Sequence, residues 1–283
     1  MKVAFIGLGS IGQRHLAIVQ KQYPDFELFH FHTNTSWPGL QAVHGWSDFE
    51  SIKPDVAFIC NPTNYHIDTA LRCANLGVNL FIEKPLGIEN GSKLNDLLHI
   101  VEQKGITVYV AYPFRHSDQI KKFKEKLPKK LRTARIVCRT DITRWGKEYS
   151  RKAACGGGAV LELSHEIDYA QFLFGPILTL GGVCIRRSNR FTDAETGAVI
   201  NCFHESNFIT RIELDLLSKV EDRFIDCGKV ESSVDVTPQM YADQIKYFFD
   251  NIGNPKIENN IFDAAKLFRV IIDFKERAAG CLH

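Results

Sequence analysis

Lys2-Val3-Ala4-Phe5-Ile6-Gly7-Leu8-Gly9-Ser10-Ile11-Gly12 opens the chain, and a helical pattern follows from Gln13 to Gln22, ending before Pro24. A short apolar strand passing through G-x-G-x-x-G into a helix gives each glycine a physical task. Gly7 permits the tight turn, Gly9 lets backbone approach a pyrophosphate, and Gly12 allows close helix packing, while the helix N-terminus offers N–H groups and the positive end of its dipole. Gly7, Gly9, Ser10, Ile11 and Gly12 are therefore candidate cofactor-binding residues. A glycine-rich turn that binds nothing is the plainer alternative, and the strand before and helix after weigh against it.

Outward from this unit, strands are expected at Phe26 to Phe31, Val56 to Cys60, Val78 to Ile82 and Thr107 to Ala111, with helices at Thr63 to Leu76 and Lys93 to Lys104. Strands alternating with helices imply a doubly wound parallel sheet covered on both faces. This domain is expected to span residues 1–116. A basic helix follows at Asp118 to Leu127, then β-branched and aromatic runs at Thr133 to Ile142, Ile177 to Arg186, Ala198 to His204, Phe208 to Leu217 and Phe224 to Cys227. These read as a mostly antiparallel open sheet. One helix, Ala159 to Phe174, interrupts them, and two more, Tyr241 to Ile252 and Phe262 to Arg277, close a second, α+β domain over residues 117–283. The fold class is α/β in two domains, as 283 residues suggest.

A net charge of +2 is too small to drive nucleic-acid binding, and the basic run Lys121 to Lys130 is spaced like a solvated helix face. Eight cysteines form no C-x-x-C pair, and several lie in apolar runs, which points to a reducing compartment and the cytoplasm. No apolar stretch approaches the roughly 18 residues of a membrane helix. No metal-ligand pattern is present. The 20 phenylalanines suggest an apolar patch on the outer face of the second sheet, hence a homodimer or homotetramer.

NAD-binding domains usually end the second strand in Asp or Glu, which bonds the ribose 2′-hydroxyl. Here that place reads Phe31-His32-Thr33-Asn34-Thr35-Ser36, without a carboxylate to repel a 2′-phosphate. Thr33 and Asn34 become cofactor candidates, and the cofactor is NAD or NADP with a lean to NADP. Asn61-Pro62-Thr63 lies at the carboxyl end of the third expected strand, where open α/β sheets bind ligands. Thr63 can cap the next helix, which carries His66 three residues on; capping alone would explain Thr63. The run Phe81-Ile82-Glu83-Lys84-Pro85 holds a lysine at the end of an apolar strand, where it faces a cleft and can donate to an oxygen that gains negative charge during hydride transfer. Glu83 and Lys84 are counted with the cofactor site, and Lys84 also as catalytic. The alternative is a surface lysine in a turn.

After Gly156-Gly157-Gly158, the residues Glu162, His165 and Asp168 are spaced by three and are expected on one helix face. A histidine there exchanges protons near neutral pH, and an adjacent carboxylate orients it. The plainer alternative is a buried histidine among ordinary helix carboxylates.

Taken together, Gly7 to His15, Asn61-Pro62-Thr63 with His66, Glu83-Lys84-Pro85 and Gly156 to Asp168 resemble the glucose-fructose oxidoreductase and inositol dehydrogenase family, Gfo/Idh/MocA, along nearly the whole chain. The resemblance implies a Rossmann domain followed by an open antiparallel sheet domain, and oxidation or reduction of a sugar-like small molecule with NAD or NADP. It makes Lys84 the catalytic lysine, followed by a cis Pro85, and His165 the general acid/base. Typical members have Asp, three residues, then His; here Glu162 stands one residue closer to His165, so Glu162 and Asp168 compete as its partner. The Leu163 to Tyr169 wording resembles a subgroup handling nucleotide-linked or sialic-acid-like sugars. Arg115, His116, Arg144, Lys147, Tyr149 and Arg151 are candidates for an anionic sugar, each with a surface role as the alternative, and Arg115, Tyr149 and His165 are the expected substrate-binding residues. Two other functions stay open: a cofactor-sensing protein that has lost the chemistry, and a reductase of a non-sugar substrate.

Overall fold

The computed structural model describes residues 1–31, 37–128, 130–145, 151–187 and 192–279. In chain order the elements are β1 Lys2–Ile6, α1 Ser10–Gln22, β2 Glu27–Phe31, β3 Gln41–Val43, α2 Trp46–Ile52, β4 Val56–Ile59, α3 His66–Asn75, β5 Asn79–Glu83, α4 Ser92–Lys104 and β6 Val108–Ala111. There follow α5 Asp118–Glu125, β7 Thr133–Asp141, α6 Ala159–Glu162, α7 His165–Phe174, β8 Ile177–Ile185, β9 Gly197–His204, β10 Ile209–Asp215, β11 Leu217–Asp226, β12 Glu231–Ser233, α8 Pro238–Asp250 and α9 Ile261–Ala279.

Two compact units divide the chain: Met1–Ala111 with Tyr241–Ala265, and Tyr112–Met240 with Lys266–His283. The first holds a six-stranded parallel sheet in the order β3-β2-β1-β4-β5-β6. The chain winds outward from β1 in one direction and from β4 in the other, so the ends of β1 and β4 form the switch point where such sheets bind ligands. Phe5, Phe58, Phe81 and Tyr109 lie in register across β1, β4, β5 and β6. Phe58 stacks on both Phe5 and Phe81, at 4.8 and 4.5 Å.

Phe248 of α8 covers this aromatic row, 5.5 Å from Phe81, and is itself fully buried. That packing draws residues 241–265 into the first unit, although sequence order groups them with the second domain, and the opening segment stops at Ala111 instead of His116. The short β3 and α2 escape the sequence because three and seven residues carry too little periodicity.

The second unit holds the sheet β12-β11-β7-β10-β9-β8, antiparallel except for the β7–β10 pair. The strand expected from Phe224 begins at Leu217, with an irregular register between Leu217 and Asp222. The helix expected over 159–174 is two helices. Glu162 ends α6, Leu163 leaves helical geometry at φ −102° and ψ 28°, and His165 starts α7.

Candidate active site

In the first unit the glycine turn follows from contacts at the switch point. Gly7 has φ +97°, and a Cβ there would lie 2.5 Å from the Asn61 nitrogen; a Cβ at Gly12 would lie 2.1 Å from the Gly7 carbonyl oxygen. Only glycine fits either place. Gly9, at the N-cap of α1, is the reverse case: a Cβ would meet nothing within 4 Å, and no side chain caps the helix. Gly9 and Ser10 are exposed, with Ile11 half-buried beside them. An uncapped helix start with open space above a glycine fits the pyrophosphate of a dinucleotide. Thr33 and Asn34, with the rest of 32–36, lie outside the described residues.

At the end of β4, Asn61 donates its amide to Thr69 Oγ1 at 2.9 Å. Pro62 is exposed, and Thr63 is buried at the start of a short 3-10 turn, Thr63–Tyr65. Tyr65, without a side-chain cap bond, precedes α3, so Thr63 does not cap that helix. His66 is 2% exposed, its Nδ1 2.9 Å from the Pro85 carbonyl and its Nε2 2.8 Å from the Asn61 carbonyl. Its ring lies between the carbonyls of two loops. Burial pushes its pKa down, against the two carbonyls and Glu83, which pull it up.

The Glu83 carboxylate is likewise turned inward, 2.5 Å from His15 Nε2, with His15 fully buried. Lys84 is half-buried and is the one residue of 80–87 that is not fully buried; the Lys84–Pro85 peptide is cis. The helical spacing puts His15 one turn after Gly12 on the buried face of α1 with Leu16 and Val19, which marks its burial but not its partner.

In the second unit His165 begins α7 and is half-buried, edge-on to Phe114 at 5.1 Å and perpendicular to Tyr112 at 5.8 Å. Glu162, on the far side of the Leu163 break, does not share a helix face with it. Asp168 is fully buried and gripped by the Arg115 fork, Nε to Oδ2 at 2.9 Å and Nη2 to Oδ1 at 2.6 Å. Burial raises its pKa, while the guanidinium pulls the other way. Arg115, expected to meet substrate, thus engages Asp168.

Beside this pair Glu166, also fully buried, lies 2.7 Å from Arg223 Nε, and Arg223 rests over the Phe114 ring at 4.6 Å. Burial works to lower the Arg223 pKa, and Glu166, Cys138 and Tyr169 together outweigh it, so the net direction is up. Neither Glu166 nor Arg223 stands out in the sequence, because their partnership spans strand and helix.

The last glycine of the triplet, Gly158, has its cause in Glu195. Its carboxylate accepts the Val160 N–H at 3.1 Å, and a Cβ at Gly158 would lie 2.6 Å from it. Among the anionic-sugar candidates, Arg144 pairs with Asp141 at 3.3 Å, Arg151 donates to the Thr143 carbonyl, and His116 is half-buried in the turn Pro113–His116. Lys147 and Tyr149 lie outside the described residues. Among the described residues no group of acidic, histidine and cysteine side chains is arranged to hold a metal ion.

A glycine turn at the switch point of a six-stranded parallel sheet is the arrangement of a dinucleotide-binding domain. Residues 1–112 of the 283 match the GFO_IDH_MocA model, described as an oxidoreductase family with an NAD-binding Rossmann fold. D-glucoside 3-dehydrogenase of Escherichia coli is 23% identical over 194 residues, which are 62% of this chain and 54% of that protein. The chain spans about half the length of the curated relatives it matches. The WlbA dehydrogenase from Bordetella pertussis, solved with NADH and UDP-GlcNAcA, has a TM-score of 0.81 at 15% identity, covering 98% of this chain and 96% of that one. Myo-inositol 2-dehydrogenase from Lactobacillus plantarum has a TM-score of 0.84 at 15% identity, covering 100% and 98%.

Proposed function

We propose that this protein is an NAD(P)-dependent oxidoreductase acting on an alcohol carbon of a sugar, with a nucleotide-linked sugar as the first class to test. The observation that carries it is Lys84, half-exposed within an otherwise buried segment at the carboxyl edge of a parallel sheet whose glycine turn fits a pyrophosphate. When bound, the nicotinamide dinucleotide supplies the hydride acceptor or donor. Lys84 donates to the substrate oxygen and favours the charge that develops there. His165 takes or returns the hydroxyl proton. Asp168 acts as a positioning residue through Arg115, and Glu162, which ends α6, is the other candidate partner of His165.

In the Lys84→Ala variant, hydride transfer measured by nicotinamide absorbance across a panel of sugars falls by about 100-fold or more, while the cofactor still binds. Native turnover in that variant removes the assignment, and binding without turnover by the native protein across the panel favours a cofactor sensor. The carboxylate-free end of β2 leans to NADP, whereas the WlbA structure holds NADH. Parallel calorimetric titrations with the two cofactors measure the preference; tighter NAD binding removes the lean. The seven described cysteines are free and no described helix is long and apolar enough to cross a membrane, which accords with a proposed cytoplasmic location.

A further inference from the structure

We infer that His15 and His66 are positioning residues for Lys84, holding the residues on either side of it to the two segments that line the switch point. The inference rests on Lys84 being the group that polarises the substrate oxygen. His15 sits on α1, one turn past Gly12, and reaches the Glu83 carboxylate at 2.5 Å. Its ring is fully buried among Phe81 at 5.1 Å, Phe58 at 5.9 Å and Tyr241 at 6.1 Å. On the other side of Lys84, the Pro85 carbonyl meets His66, whose second nitrogen meets the Asn61 carbonyl at the end of β4. The segment bearing Lys84 is therefore pinned by Glu83 to the helix that starts at the glycine turn, and by Pro85 to the loop after β4.

Stability alone does not call for this arrangement. A buried carboxylate is costly unless paired, and apolar side chains of similar volume often replace a buried ionic pair without loss. What the polar contacts add is direction: a hydrogen bond fixes Glu83 and Pro85 in one place, where an apolar contact would let them slide. His66 contributes one N–H while its ring is neutral, so one of its two carbonyl contacts is a hydrogen bond in that state.

The test is competitive acylation of Lys84 in the full chain with acetic anhydride at pH 8, read by mass spectrometry against the exposed Lys93, with circular dichroism to establish folding. In His15→Ala and in His66→Ala, Lys84 is acylated about threefold or more faster than in the native protein, because the loosened segment opens more often. In His15→Gln, whose amide nitrogen takes the place of Nε2, labelling returns to the native rate. Native labelling in both folded alanine variants overturns the inference, as does equally fast labelling in His15→Gln and His15→Ala, which would make ring volume the cause. If the alanine variants do not fold, Glu83→Met, close to it in length and without an oxygen acceptor, is read in their place, and an unchanged rate overturns the inference. Labelling needs no substrate, so native turnover in Lys84→Ala would remove the catalytic role and leave the positioning result standing.

Discussion

Two buried carboxylates, Asp168 and Glu83, show how a single residue's surroundings set its task. Asp168 carries the Arg115 fork and is fully buried, so removing the guanidinium leaves a charge without its partner inside the unit. Arg115→Ala should cost about 3–5 kcal/mol of unfolding free energy in urea. A loss below about 1 kcal/mol would mean that water reaches Asp168. Lys84 was legible in the sequence because its cue is local, an apolar strand followed by Glu-Lys-Pro. The partners of Asp168, Glu166 and Glu83 were not, since Arg115, Arg223 and His15 lie 53, 57 and 68 residues away in sequence. No spacing rule within one helix or strand can supply such a pair.

At the scale of elements, the break between α6 and α7 decides which carboxylates reach His165. The segment has no glycine or proline within it, so helical periodicity runs through the break and places Glu162 and His165 on one face, which the folded chain does not. The outer face of the second unit's sheet makes the element-scale prediction. Phe203 and Ile209 are register partners on β9 and β10, 41% and 39% exposed, and Val183 of β8 is 50% exposed. We propose that this strip, flanked by the Arg135–Glu213 ion pair, joins copies of the chain into a dimer or tetramer. Phe203→Glu should lower the mass measured by light scattering at micromolar concentration, and a monomeric native protein would remove the proposal.

Across the whole molecule, pH reaches stability through buried imidazoles. Burial lowers the pKa of His30, His66 and His204, and all three are almost inaccessible. The unfolded chain, with imidazoles near pH 6.5, then binds more protons than the folded one. Their contribution is present above pH 6.5 and is lost as pH falls through the folded values, at most about 1.4 kcal/mol per histidine per pH unit. Asp168, raised by burial, acts in the opposite sense at the acid end. The urea midpoint should therefore fall between pH 7.5 and 5.5, and His204→Gln should flatten the slope; a midpoint that rises on acidification would contradict this assignment. The sequence by itself determined the strand-turn-helix of the cofactor site, the alternation that makes a parallel sheet and the strand end bearing Lys84, because these depend on residues close together in the chain. Only the tertiary structure decided that α8 belongs to the first unit, that the helix over 159–174 is broken, and that Glu83, Glu166 and Asp168 are each turned to a distant cation or imidazole. Those outcomes depend on which surfaces meet, and burial makes a charge seek whatever partner the fold brings beside it.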